Sequence, residues 1–254
     1  MEQKNPIQVA GRLFQTLELL AETGSIGLME LSGRLELNKT TAHRVLNSLI
    51  YMGYARQNPA NGKYEPTFKI VDMANKIMAK VDIVQTVRPY LRKLMEATGE
   101  TVHFVERDGI DAVYIDKVES LNNGIQMVSR IGSRIPLYCS GVGKAMVAEM
   151  DEWEIEEIWN NSEVIRLTPY TVTEYDDFKA ELEEIRKRGY ALDNEENETG
   201  VRCIACSLKE PMGSARHAFS ISAPVSRMDN ARVRELAGYV MQTRAEIEKN
   251  LARS

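Results

Sequence analysis

Apolar residues recur at helical spacing along the opening stretch of the chain. Val9, Leu13, Leu17 and Leu20 fall on one helical face after Pro6, and Gly24 is placed to end the helix. Leu28, Leu31 and Leu35 predict a second, short helix. Leu37 and Asn38 make the turn, and Asn38 suits the N-cap of a third helix because its side chain can accept a backbone amide proton. That helix carries Ala42, Val45, Leu46, Leu49 and Ile50 on one face, and Gly53 is placed to close it. The periodicity then shortens. Tyr54–Gln57 and Lys63–Glu65 predict two strands around the turn-rich tip Asn58-Pro59-Ala60-Asn61-Gly62, a wing directly behind a helix-turn-helix.

After Pro66, the residues Ile70, Met73, Ala74, Ile77 and Val81 predict an amphipathic helix with Lys69, Asp72, Lys76 and Lys80 on its outside. It is too short to stand alone, so its apolar stripe is expected to pack on a neighbour or a second subunit. From Ile83 the pattern mixes helices and strands. Val84, Val87, Leu91, Leu94 and Met95 predict a helix closed by Gly99. Thr101–Arg107 and Ala112–Val118 read as paired strands around Asp108-Gly109. Further strands are expected at Ile125–Arg130, Tyr190–Asp193, Arg202–Leu208 and His217–Ala223. Helices are expected at Val142–Met150, at Asp151–Trp159, from Thr173 to Gly189, and through Val233, Leu236, Val240 and Ile247. Together these give an α+β chain: a winged helix-turn-helix over residues 1–66, a linker helix over 67–82, and an antiparallel-sheet domain over 83–254.

Composition narrows the classes. With 254 residues, 43% hydrophobic and 27% charged, the chain can bury a core. No apolar run approaches a membrane span, Met1–Pro6 lacks the apolar core of a signal peptide, and three cysteines make no disulfide scaffold, so a cytoplasmic protein is expected. The net charge of -5 hides a gradient. Residues 1–82 hold 10 Lys+Arg and 8 Asp+Glu, net +2, whereas residues 151–200 hold 16 acidic and 5 basic, net -11. A basic head on an acidic body points to a nucleic-acid contact at one end.

The polar face of the third helix is Lys39, Thr40, Thr41, His43, Arg44 and Asn47, preceded by Asn38. These side chains reach phosphates and base edges, and they sit in the half of a recognition helix that enters the major groove. Arg56 and Lys63 flank the wing tip, within reach of the phosphate backbone. An ordinary solvated face is the alternative, and the basic hairpin behind the helix weighs against it.

Other motifs dissolve on inspection. Cys203 and Cys206 lack a second ligand pair, so no metal is expected. Gly141-Val142-Gly143-Lys144 is no phosphate loop, because Tyr138 stands at the first glycine position and Ala145 at the Ser/Thr position. His43, His103 and His217 are scattered; His43 is expected to face DNA and the other two to be structural. No cofactor is expected.

Several segments nevertheless resemble the IclR family of bacterial transcriptional regulators. Leu37–Leu46 is similar to that family's recognition helix. Arg130–Lys144, then Asp193–Glu196 with Gly200–Ala205, then Ser220–Pro224 with Arg227, are similar to three signatures of its effector domain, in order along essentially the whole chain. The resemblance implies a GAF-like effector-binding domain, a homodimer or dimer of dimers on double-stranded operator DNA, and control by a small carboxylate effector such as a keto acid, sugar acid or aromatic acid. Within the family the chain resembles regulators of sugar-acid and pectin-fragment catabolism. Ligand contacts carry over to Gly141, Val142, Asp193, Cys203, Ser220 and Ser222, with Met127, Ile135 and Val201 as apolar walls.

Elementary chemistry bears on these positions separately. Ser140-Gly141-Val142-Gly143 stands where a helix begins, and free amides there suit an anion, although a plain helix start reads the same way. Ser220 and Ser222 share a strand face, which suits either a polar pocket or a solvated stripe. Asp193 beside an anionic ligand would repel it, so it is expected to accept a ligand hydroxyl or to be protonated. The leading function is a ligand-responsive transcription regulator, a repressor on a palindromic operator, and not an enzyme. The alternative is a small-molecule-binding protein or enzyme whose helical head serves only for assembly, with Asp193 and Cys203 as its sole candidate pair.

Overall fold

The computed structural model describes residues 7–78, 82–119, 129–209 and 215–252, which divide into two compact units at residues 80 and 81. In the first unit, α1 (Gln8–Thr23), α2 (Leu28–Arg34) and α3 (Lys39–Tyr51) bury Leu19, Leu20, Leu31, Ala42, Leu46 and Leu49 against one another. Val9, expected on the buried face of α1, is 59% exposed. The residues α1 buries are Thr16, Leu19 and Leu20, all in its C-terminal half.

Asn38 caps α3 as expected, its Oδ1 accepting the Thr41 amide proton at 2.8 Å. The other end closes around Gly53 at φ +78°, where the amides of Gly53 and Tyr54 reach back to the carbonyls of Ile50 and Leu49. This reversal aims the chain into β1 (Ala55–Gln57), which pairs antiparallel with β2 (Tyr64–Pro66). Ile26 and Tyr64 exchange backbone hydrogen bonds of 3.0 and 2.8 Å, fastening the wing to the α1–α2 connection. α4 (Lys69–Met78) follows, and Lys69 Nζ donates to the Met52 carbonyl at 2.5 Å while lying over the Tyr54 ring. Of its expected apolar stripe, Met73 and Ala74 are exposed and Ile70 is half-buried; the side chain of Ile77, with Lys80 and Val81, lies outside the description.

In the second unit, the described residues form a six-stranded antiparallel sheet in the order β5-β4-β3-β8-β7-β6. Its strands are β3 (Thr101–Asp108), β4 (Asp111–Val118), β5 (Arg134–Pro136), β6 (Ala191–Asn194), β7 (Val201–Leu208) and β8 (His217–Pro224). Residues directly opposite each other on neighbouring strands share a face. One face presents Val102, Phe104, Ile204 and Ile221 towards α5 (Asp82–Thr98) and α9 (Asn230–Leu251). The other presents Val105, Ala112, Ala205 and Ala218 to α6 (Gly141–Val147), and α7 (Glu152–Asn161) and α8 (Tyr175–Arg188) complete that layer.

Three departures from expectation stand out. β5 is a three-residue edge strand with no alternation long enough to read. The strand expected at Ile125–Arg130 falls on residues 125–128, outside the described residues, and on Ser129 and Arg130, which are not in a strand. A bulge between Phe104 and Val105 skips Ile115, so that Lys117 opposes His103 and Tyr114 opposes Val105. Two β4 side chains three apart therefore share one face.

Gly143 sets how closely α6 approaches the preceding segment: a Cβ there would overlap the Leu137 backbone, which no rotamer change relieves. Gly143→Ala should therefore lower unfolding stability by about 3 kcal/mol or more. Gly238→Ala in α9, where nothing lies within 4 Å of the new methyl group, should raise it by about 1 kcal/mol. Urea unfolding of the two variants checks the contrast, and equal effects would contradict the close approach.

Candidate nucleic-acid interface and small-molecule site

The polar side of α3 is assembled as the sequence indicates. Lys39, Thr40, His43, Arg44 and Asn47 are exposed and Thr41 is half-buried, while Ala42, Val45, Leu46 and Leu49 anchor the opposite side in the core. Asn47 Nδ2 lies 3.4 Å from His43 Nδ1, linking two members of the face. Asn38 differs from the others, since its side-chain oxygen is committed to the helix cap. Arg56 and Lys63 are exposed on the wing, but Arg56 faces Glu65 across the hairpin at 3.0 Å. Glu65 also accepts from Asn58 Nδ2 at 2.9 Å, and these two hydrogen bonds, Asn58's first, hold its carboxyl below the usual range. The Arg56 side chain is 70% exposed and Glu65 only 17%, so the pair leaves Arg56 largely open to solvent. Arg12 of α1 lines a groove of about 160 Å³ together with Thr41 and Arg44 of α3.

The residues expected to contact a small molecule, as far as they are described, converge on the α6 side of the sheet. Register places Asp193 of β6, Cys203 of β7 and Ser222 of β8 abreast on adjacent strands, with Ser220 one step along beside Ala205. Val201 lies at the near end of the same β7 face and Ile135 on the same side at the opposite edge of the sheet. Ser220 and Ser222 are 4% and 3% exposed, which removes the solvated-stripe reading. A Cβ on Gly141 would stand 3.4–3.5 Å from Asp193 and Ala205, so the first turn of α6 rests directly on this row. Ser140 Oγ accepts the Gly143 amide proton at 3.1 Å, so the amides left for an anion at the first two helical positions are those of Gly141 and Val142. Met127 lies outside the described residues.

Asp193 is buried at 3% exposure, and its Oδ1 accepts the amide protons of Glu196 at 2.8 Å and Asn197 at 3.4 Å. Burial raises its pKa most and the Glu196 charge adds to it, against the Lys144 charge and the two amide hydrogen bonds, leaving it at about 7. Burial also raises the Cys203 thiol, with Asp193 the next cause, and pushes Cys139 up to about 12, so both sulfurs stay protonated. Cys206 points to the other face and lies 3.4 Å from the Gly189 carbonyl, apart from Cys203. Among the described residues no cluster of His, Cys, Asp and Glu could hold a metal.

Three further groups stand beside this row: Lys144 and Tyr114, which were not singled out, and His103, which was expected to be structural. Lys144 is 1% exposed and pairs with Glu196 Oε1 at 2.6 Å, while Glu196 Oε2 is buried without a hydrogen-bond partner. His103 lies opposite Ser220, with Nδ1 3.1 Å from Ser222 Oγ. Tyr114 packs on the His103 ring at 5.1 Å between centroids, and burial first, then the charges of Cys203 and Asp193, raise its pKa. The other histidine set aside as structural, His217, is buried and stacks on Phe104. Arg227, in the last signature, makes a bidentate pair with Glu100 at 2.9 and 2.8 Å.

Comparison with known proteins adds a second line. Residues 9–59 match the IclR helix-turn-helix domain and residues 75–249 match the bacterial transcriptional regulator IclR C-terminal domain. The HTH-type transcriptional regulator KdgR of Escherichia coli K12 is 35% identical over 234 residues, 91% of this chain and 89% of that protein. The transcriptional repressor IclR of the same strain is 31% identical over 244 residues, 95% and 89% of the two chains. The crystal structure of the Thermotoga maritima IclR superposes with a TM-score of 0.83 at 30% identity, covering 96% of this chain and 98% of that one. These relatives are regulators, not enzymes.

The Asp193 environment carries a pH signature. Its folded pKa of about 7 lies above the ordinary value of about 3.9. From about pH 4 to about pH 7 the folded chain therefore holds a proton that the unfolded chain has lost, and this group's contribution to stability falls as pH rises, levelling above that window. Asp193→Asn cannot ionise and should lose the fall, gaining on the order of 4 kcal/mol on the wild type between about pH 4 and pH 8. Urea unfolding across that range measures it; parallel curves would mean Asp193 is charged in the fold.

Proposed function

The chain belongs to the IclR family of bacterial transcriptional regulators, and from that premise we propose that it is a repressor whose grip on a palindromic operator is controlled by a small carboxylate. It is a DNA-binding regulator. In the proposed division of labour, residues 1–66 bind DNA, residues 67–82 connect, and residues 83–254 hold the effector, in a homodimer or dimer of dimers in the cytoplasm. Among the described residues no helix is long and apolar enough to cross a membrane.

Lys39, Thr40, Thr41, His43, Arg44 and Asn47 are assigned to the major groove, with Asn38 fixing the start of their helix and Arg56 and Lys63 on flanking phosphates. Gly141 and Val142 amides receive the ligand's carboxylate. Asp193, Cys203, Ser220 and Ser222 line its polar side, and Ile135, Val201 and Met127 its apolar walls. One observation carries the reading: Asp193, Cys203 and Ser222 stand abreast on three adjacent strands beneath Gly141, Asp193 and Ser222 buried and Cys203 half-buried. The same row supports a keto acid or sugar acid, since burial raises the Asp193 pKa to about 7 and its protonated form can meet a ligand oxygen without repulsion.

Gel shifts with DNA flanking the chain's own gene, with and without keto, sugar and aromatic acids, test the proposal, and thermal-shift screening of the same acids identifies the effector by its stabilisation of the fold. Operator affinity should fall steeply with salt as counterions are released. Arg44→Ala should weaken operator binding by about 1–3 kcal/mol and leave the acid's affinity unchanged. If both affinities fell together, the division between the two units would be wrong.

A further inference from the structure

Resting on the assignment of this sheet face as the effector site, we propose that His103 is a positioning residue that aims the Ser222 hydroxyl into the site, so that this corner takes a hydrogen-bond acceptor of the ligand, a carboxylate or carbonyl oxygen. His103 is 2% exposed, and each of its ring nitrogens meets one serine hydroxyl: Nδ1 lies 3.1 Å from Ser222 Oγ and Nε2 lies 2.6 Å from Ser129 Oγ. Burial, reinforced by the Lys117 charge, holds its pKa down at about 3, so the ring is neutral and carries one N–H and one lone pair. One nitrogen donates and the other accepts.

The distances decide which. A contact of 2.6 Å fits an O–H donor and is shorter than an N–H donor prefers, whereas 3.1 Å is ordinary for N–H donating to oxygen. Ser129 therefore donates to Nε2, and Nδ1–H donates to Ser222 Oγ. Ser222 has a single proton, and with its oxygen occupied by His103 that proton points away, towards Cys203 Sγ at 3.1 Å. A thiol sulfur is a weak acceptor that a ligand oxygen outcompetes. The relay is held at both ends. Lys117 Nζ donates to the Ser129 carbonyl at 3.0 Å, and the Tyr114 ring packs against the imidazole. The bulge in β4 is what allows Lys117 and Tyr114 to serve the same ring.

The chain has three histidines, so a long-range 1H–15N spectrum of the full-length protein resolves three rings and His103→Asn identifies the one that disappears. At neutral pH that ring should show the Nδ1–H tautomer; the Nε2–H tautomer would overturn the proposal. A second arm compares two amides against pyruvate, gluconate and benzoate in thermal-shift titrations. His103→Asn keeps a donor at the Nδ1 position, whereas His103→Gln places its amide near Nε2 and leaves Ser222 without one. For an acid that binds the wild type, the Asn variant should hold its affinity and the Gln variant lose about tenfold. Equal losses in both variants would reduce His103 to packing and overturn the proposal. Acids that bind alongside the wrong tautomer would defeat this inference alone. Failure of every acid to bind the wild type would overturn the site assignment, and with it the ligand claim, whatever tautomer the ring shows.

Discussion

The C-terminal unit is organised by how closely α6 sits on its surroundings. All seven residues of this helix are buried, Gly143 leaves room for no more than its hydrogen against the Leu137 backbone, and a Cβ on Gly141 would stand in ordinary contact, 3.4–3.5 Å, with Asp193 and Ala205. At that separation Lys144 has no route to solvent, and a buried ammonium must be matched within the fold. Glu196 matches it at 2.6 Å. The pair ties the turn after β6 to the helix; Glu181 stands further off, 3.8 Å from Lys144 Nζ, and losing Lys144 would strand the Glu196 charge in the interior. The burial of Asp193, at the start of the same turn, follows from the same seating.

That seating also settles the charge of the site. Asp193 and Glu196 are two buried carboxyls near one lysine, and the short contact gives Lys144 to Glu196. Asp193 is left with two amide hydrogen bonds on one oxygen and no ion pair of its own, so it keeps its proton up to about neutral pH. A protonated carboxyl can donate a hydrogen bond, and with a pKa of about 7 the repulsion expected between Asp193 and an anionic ligand is weakened near neutral pH and falls away below it. The protonated thiols of Cys203 and Cys139 add no negative charge.

Much of this was legible in the residues, for reasons that can be named. The α3 face follows from the spacing of Ala42, Val45, Leu46 and Leu49, and the caps from Asn38 and Gly53, because such signals are local. The sharing of one face by Ser220 and Ser222 is equally local, as two residues apart on a strand always are. Whether that face was wet or buried was not legible, since it depends on α6. Lys144 was hidden because a lysine reads as surface until a partner is known, and Glu196 lies far along the chain. His103 was read as structural because nothing local ties it to Ser222, 119 residues along the chain, and Tyr114 was hidden by the bulge: simple alternation puts Tyr114 and Lys117 on opposite faces of β4, and only the skipped residue reunites them. Val9 was misplaced because periodicity marks a stripe without saying how much of it finds a neighbour.

Regulation by a ligand requires that it bind two states of the protein with different affinity. Within the C-terminal unit, a short stretch of chain leads from the site to α5. His103 lies on β3, and β3 follows α5 across Gly99 and Glu100 with no intervening loop. That junction is held firmly: Arg227 clamps the Glu100 carboxylate in a bidentate pair, and Arg232 donates to the Thr98 carbonyl at 2.7 Å. If His103 positions Ser222 as proposed, a ligand that draws on the Ser222 hydroxyl acts on the His103 hydrogen bond and hence on β3, which only Gly99 and Glu100 separate from α5. Because α5 begins at Asp82, just beyond α4, a tilt of β3 needs no flexible relay to be felt at the start of the effector-binding unit. Packed elements of this kind move between discrete arrangements and resist intermediate ones, which is the property a switch needs and a soft loop would lack.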